Sequence, residues 1–147
     1  MTRTEGADPT ATCTACRGRW PDAADRIAAL RESVVYLHDD QFFPGWSVLV
    51  LRRHATELFE LEPYERTRLM DEVSDVARAL KLAFDARKVN YAMFGNLVPH
   101  VHWHVIPRLP TDPAPLESVF AISHQPVRLG DIERSDRIAR IRRHLER

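Results

Sequence analysis

The chain has 147 residues, with 21 basic and 21 acidic side chains and a formal net charge of zero. Its 44% hydrophobic and 29% charged content is ordinary for one soluble domain with a real core. The charge balance argues against a broad, purely electrostatic nucleic-acid surface, though not against a local phosphate site. No apolar run approaches the ~20 residues of a membrane span, and MTRTEGADPT lacks the apolar stretch of a signal peptide. A cytoplasmic protein without nucleic-acid or membrane partners is expected.

Residues 1–12 are polar and read as a disordered tail, with residues 13–147 as a single domain. Cys13 and Cys16 lie in C-T-A-C. Two close cysteines in a reducing compartment suggest a metal site or a redox pair. A redox pair normally follows a strand and opens a helix; this one follows a polar tail and precedes RGRWPD, which favours metal. Residues 21–31 (PDAADRIAALR) read as a short helix with Pro21 in its first turn. Residues 33–37 (SVVYL) read as a strand, HDDQFFPG as a turn, and residues 46–51 (WSVLVL) as a central strand. Residues 63–84 form the longest predicted helix, with Leu69, Val73, Val76, Leu80 and Phe84 at helical spacing. Residues 88–94 (KVNYAMF) are a third strand, followed by a Gly95-Asn96 turn. Beyond Arg108 comes a proline-rich loop. Residues 116–129 carry at most one short strand. An amphipathic helix is expected from Asp131 or Ser135 to His144. The fold class is α+β, with a mainly antiparallel sheet, one long helix and a C-terminal helix.

Residues 100–106 read HVHWHVI. With a side-chain period of two, a strand places His100, His102 and His104 on one face and Val101, Trp103 and Val105 on the other. Pro107 is expected to end this strand. Three histidines in register have three readings. They are idle sheet-face residues, a three-histidine metal site, or a catalytic row. Successive same-face residues lie ~7 Å apart, too far to converge easily on one ion with Zn–N bonds near ~2.1 Å. An imidazole of ordinary pKa is largely neutral and nucleophilic at pH 7, and it can attack phosphorus to form a phosphoramidate. That reading uses the row best.

The stretch HVHWHVIPR, residues 100–108, resembles the signature of the histidine-triad superfamily of nucleotide hydrolases and transferases. FPGWSVLVLRRHATELFEL and NYAMFGNLVPH are similar to segments that precede the triad there. The resemblance implies that His102 takes up a nucleoside monophosphate and that His104 contacts the phosphate oxygens or leaving group. It implies amide donors from Asn90 and Asn96, and ribose contacts from Asp39 or Asp40, with Phe42, Phe43 and Leu37 near the base. It further implies a structural zinc, as in the zinc-containing branch, held by Cys13, Cys16, His54 and His100. His100 would then support its neighbour His102 as well as the metal.

The implied activity is cleavage or transfer of a nucleoside monophosphate from diadenosine polyphosphates or other adenylylated compounds, with Mg²⁺ accompanying a polyphosphate substrate. The alternative is a nucleotide-binding module with little or no turnover. Leu97 stands where many members carry Ser or Thr, and this departure keeps the alternative open. The superfamily is commonly dimeric, so a homodimer is expected, with the 63–84 helix and the third strand as interface.

Overall fold

The computed structural model describes residues 6–146. Five strands, β1 (Arg26–Ala29), β2 (Ser33–Leu37), β3 (Ser47–Leu51), β4 (Lys88–Ala92) and β5 (His102–Arg108), form one antiparallel sheet in the order β1-β2-β3-β5-β4. The helices are α1 (Pro9–Thr12), α2 (Pro63–Phe84) and α3 (Asp131–Leu145). The α+β class read from the sequence is the one observed.

Helix α2 begins at Pro63, whose missing N–H costs nothing in a first turn. Glu62 and Glu65 cap it reciprocally, and Asp85 ends it in the left-handed region at φ 50°. Its buried stripe of Val73, Val76, Ala77 and Leu80 packs on Val35, Leu37, Leu49, Val89 and Val105 of the sheet. Ile138 and Ile141 of α3 join the same core. Each of the valine, leucine and isoleucine side chains contributes roughly 1.5–3 kcal/mol by leaving water. The helices therefore cover one sheet face. The alternate residues of β5, His102, His104, Ile106 and Arg108, point to the other. β3 is buried along its whole length, as a central strand should be.

Four expectations need correction. Residues 21–31 are not a helix. Asp22 caps a single 3-10 turn, Ala23–Asp25, and the chain then pairs as β1 against β2. The local pattern of Ile27 and Leu30 suits a helix, but the free edge of β2 offers this stretch strand pairing, and tertiary pairing wins over a short run. Next, the histidine strand does not end at Pro107. It runs to Arg108, with Pro107 opposite Val89. Pairing with β3 stops at Val105, and the Arg108 carbonyl accepts from Arg87 on the β4 side. Pro107 thus faces the side where no strand needs its N–H. The strand starts at His102, not His100, because His100 sits in a turn closed by its N–H to the Val98 carbonyl. Lastly, residues 9–12 of the expected tail form a helical turn capped by Asp8. Residues 1–5 of that tail lie outside the described residues.

Residues 109–130 contain one 3-10 turn, Val119–Ala121, and no strand among the described residues. They cross the histidine face as a strap. Arg108 pins its base. This buried guanidinium binds Asp112, the Asn90 Oδ1, and the carbonyls of Ala114 and Glu117.

Candidate active site

The ladder between β3 and β5 sets Val48 opposite His104 and Val50 opposite His102. The Nδ1–H of His102 donates to the His100 carbonyl at 2.6 Å. That bond fixes the tautomer, so Nε2 carries the lone pair. His104 is held differently. Its Nδ1 accepts from the indole Nε1–H of Trp46 at 3.1 Å. Burial, then the neighbouring His102 and His38 rings, push His104 down to about 4. It is therefore neutral at pH 7. The two rings lie 5.4 Å apart, nearly perpendicular.

His100 turns away from this row. Its Nε2–H donates to the Leu51 carbonyl at 2.7 Å, leaving Nδ1 to face the cysteines. Cys13 Sγ lies 3.4 Å and Cys16 Sγ 3.6 Å from that nitrogen, and Cys16 Sγ lies 3.3 Å from His54 Nδ1. The four ligand atoms of Cys13, Cys16, His54 and His100 fall within 4.8 Å of one another. Tetrahedral zinc with Zn–S of about 2.3 Å and Zn–N of about 2.1 Å places its ligands about 3.4–3.8 Å apart. The donor set and its spacing therefore fit a closed four-coordinate metal. Both cysteines are free of disulfides. Partial desolvation, then the neighbouring Cys13, pushes Cys16 up to about 11, and a cation bound here would favour its thiolate. The turn carrying His54 is held by Arg53, which forms a two-armed bond to Glu65 at the start of α2 at 2.7 and 2.9 Å.

The histidine row forms the floor of a trench. Trp20, on the cysteine knuckle, stands edge-on to His102 at 4.9 Å. Phe120 of the strap stands edge-on to His104 at 5.8 Å. Beside the row is a cavity of about 360 Å³ lined by Trp20, Leu37, His38, Asp39, Val48 and Arg128, among others. His38 stacks flat on Trp46 at 4.0 Å and 6°. Sequence reasoning singled out neither His38 nor Trp46, Trp20 and Phe120 for the site. The Leu-His-Asp-Asp run at a strand end was the available signal for His38; the other three are brought in by tertiary packing.

The expected nucleotide contacts divide. Asp39 lines the cavity, half exposed, and meets the guanidinium of Arg128 at 2.8 Å. Asp40 faces inward instead. It accepts from His124 at 2.7 Å and from the backbone N–H groups of Phe42 and Val127. Burial would raise its pKa, but these donors hold it below the ordinary carboxylate range. Both oxygens of Asp40 are thus spent on tying down the strap. Asn90 lies on the histidine face, its Oδ1 bound to Arg108 at 2.8 Å. Asn96 is exposed in the turn before the triad. Phe43 is buried beneath the strap with Trp46, Ile106 and Val119, and Phe42 stacks on His124 at 4.1 Å. Of the three apolar residues expected near a base, Leu37 lines the cavity and Phe42 and Phe43 do not.

Comparison with known proteins agrees with this fold. The HIT domain profile matches residues 22–111. A histidine triad protein from Bradyrhizobium japonicum is 35% identical, with a TM-score of 0.74 over 82% of this chain and 91% of that one. A zinc-bound histidine triad family protein from Mycobacterium smegmatis shares the fold at 22% identity and a TM-score of 0.68, over 93% of this chain and 95% of that one. Among curated proteins, a bis(5'-nucleosyl)-tetraphosphatase (asymmetrical) from Schizosaccharomyces pombe is 29% identical over 99 residues, 64% of this chain. The chain spans about half, 54%, of that relative's length. With the profile covering more than half of the sequence, the chain belongs to the HIT domain family.

Proposed function

We propose that the protein cleaves or transfers a nucleoside monophosphate from diadenosine polyphosphates or related adenylylated compounds, through a covalent intermediate on His102. The observation that carries this is the hydrogen bond from His102 Nδ1 to the His100 carbonyl. It leaves Nε2 as a lone-pair nucleophile on the trench floor, beside a cavity of nucleoside size. The Nε2 lone pair attacks the α-phosphorus, forming the N–P bond as the P–O bond to the leaving phosphate breaks. Water, or another acceptor, then attacks the same phosphorus. The N–P bond breaks, the nucleotide leaves, and the proton of the acceptor passes to solvent. A neutral His104 supplies a hydrogen bond to the phosphoryl oxygens. Asp39 accepts from the ribose hydroxyls, and Asn90 and Asn96 supply amide donors.

The Cys13, Cys16, His54 and His100 set would hold zinc in a structural part, tying the knuckle and His100 in place beside His102. Mg²⁺ enters with the polyphosphate, whose charge it offsets. The thiol pair suits a reducing cytoplasm. A homodimer forms through helix α2 and β4, an edge strand of the sheet. No helix among the described residues is long and apolar enough to cross a membrane.

Incubation with diadenosine tetraphosphate, with and without inorganic phosphate, tests the reading. AMP plus ATP, formed by the native protein and not by His102→Ala, is the hydrolase result. ADP plus ATP only with phosphate makes it a phosphorylase. No product from either protein leaves the second reading, a nucleotide-binding module with little turnover. That reading is favoured by Leu97, 98% exposed and without a hydroxyl to offer the leaving group.

A further inference from the structure

We propose that Trp46 is a positioning residue that fixes the tautomer of His104, so that His104 presents an N–H to the phosphoryl group held over His102. The proposal rests on the function proposed above and adds a role for a residue outside the triad. An indole N–H can donate and never accept. With Trp46 Nε1 3.1 Å from His104 Nδ1, that ring nitrogen must be the acceptor. A neutral imidazole has one N–H, so the proton resides on Nε2. A His or Gln at position 46 could donate or accept and would leave the choice open. Trp cannot.

The indole is rigidly placed. Trp46 is 6% exposed. Its ring is stacked on His38, with Phe43 and Phe120 edge-on at 6.3 and 5.9 Å. Its backbone N–H donates to the Phe43 carbonyl, and its carbonyl accepts from His38 N–H and the Gln41 side chain. The groups facing His104 are His102 on its own strand, His38 from the end of β2, Trp46 before β3, and Phe120 from the strap. Asp39 lies one ring further away, 3.4 Å from His38 Nδ1. None of the four neighbours offers His104 a negative charge. A second proton on Nδ1 would also meet the indole N–H head-on. His102 is set the opposite way by a different partner, the His100 carbonyl. Two adjacent imidazoles thus hold opposite tautomers, one presenting a lone pair and the other an N–H.

Nitrogen NMR of labelled histidine reads the tautomer directly, without substrate. In the native protein at pH 7, His104 should show a protonated Nε2 and a bare Nδ1. Trp46→Phe keeps an aromatic ring and removes the donor. It should give a mixture of tautomers. With diadenosine tetraphosphate it should lower kcat about tenfold, the scale of one lost hydrogen bond, with KM nearly unchanged. Trp46→His, whose ring can either donate or accept, should leave the tautomer mixed and restore the rate only in part. A native His104 protonated on Nδ1 overturns the proposal whether or not the variants fold. So does a Trp46→Phe protein with the tautomer and kcat of the parent. If the native protein turns over no nucleotide, the proposed activity falls, while the NMR result still decides the tautomer.

Discussion

The carbonyl of His100 accepts the Nδ1–H of His102 at 2.6 Å, while the ring of the same His100 faces Cys13 and Cys16. One residue therefore touches both the candidate metal ligands and the candidate nucleophile, the first by its side chain and the second by its backbone. Cys13→Ala and Cys16→Ala should each lose bound zinc, measured as metal per chain by elemental analysis. They should also lose roughly 10- to 100-fold in kcat, because the His100 carbonyl is no longer held in place. A variant with full turnover and no metal would separate the two roles.

Adjacent aspartates should behave differently. Asp39→Asn should raise KM for a dinucleoside polyphosphate with a small effect on kcat and on melting temperature. Asp40→Asn keeps one oxygen for the Phe42 and Val127 N–H groups but takes the carboxylate acceptor from His124, so it should cost about 1–3 kcal/mol of unfolding free energy. Urea titration of the two variants side by side checks this. Equal loss of stability in both would show that the strap does not depend on Asp40.

The strap also carries a pH signature. Both ring nitrogens of His124 face acceptors, the Ile122 carbonyl and the Asp40 carboxylate. Its pKa is raised from 6.5, chiefly by Asp40. A raised histidine pKa adds stability that is complete below the unfolded value and lost as pH rises through the folded one. Melting temperature should therefore decline as pH rises past about 6.5 towards weakly alkaline values. His124→Asn should flatten that decline.

Arg108 is 4% exposed and binds Asp112, Asn90 and two strap carbonyls. Arg108→Met keeps the apolar stem of the side chain but leaves Asp112 buried without its partner. A loss of about 3–5 kcal/mol in chemical denaturation is expected. Lysine should rescue little, since one ammonium cannot reach four acceptors in a planar fork.

Gly45→Ala tests the turn that delivers Trp46. Gly45 has φ of 90°, and a Cβ there would come within 2.5 Å of the Phe84 ring at the end of α2. Strain of about 1–3 kcal/mol follows from the backbone alone, and calorimetry should show the melting point fall.

Helix α2 could be read to its ends from the sequence, because a proline start, a capping glutamate pair and a full 3.6-residue stripe all agree. β1 could not. Its residues carry too short a pattern to tell a helix from an edge strand, and only the neighbouring β2 decides. In the site, HVHWH announced itself by spacing. The inward turn of Asp40 and the indole beside His104 depend on contacts 84 and 58 residues apart in the chain. No local pattern encodes such pairs.

The candidate metal ligands begin at Cys13 and end at His100, 87 residues later. A bound cation would thus act as a cross-link closing most of the chain into a loop, and it would stabilise chiefly by limiting the unfolded ensemble. Trp20 rides on the tethered end, with its ring against His102. Stripping the metal should release that end first and open the trench from one side while the sheet persists. Zinc supply would then set the accessibility of the histidine face, and the protein would respond to metal starvation by losing substrate enclosure before losing its fold.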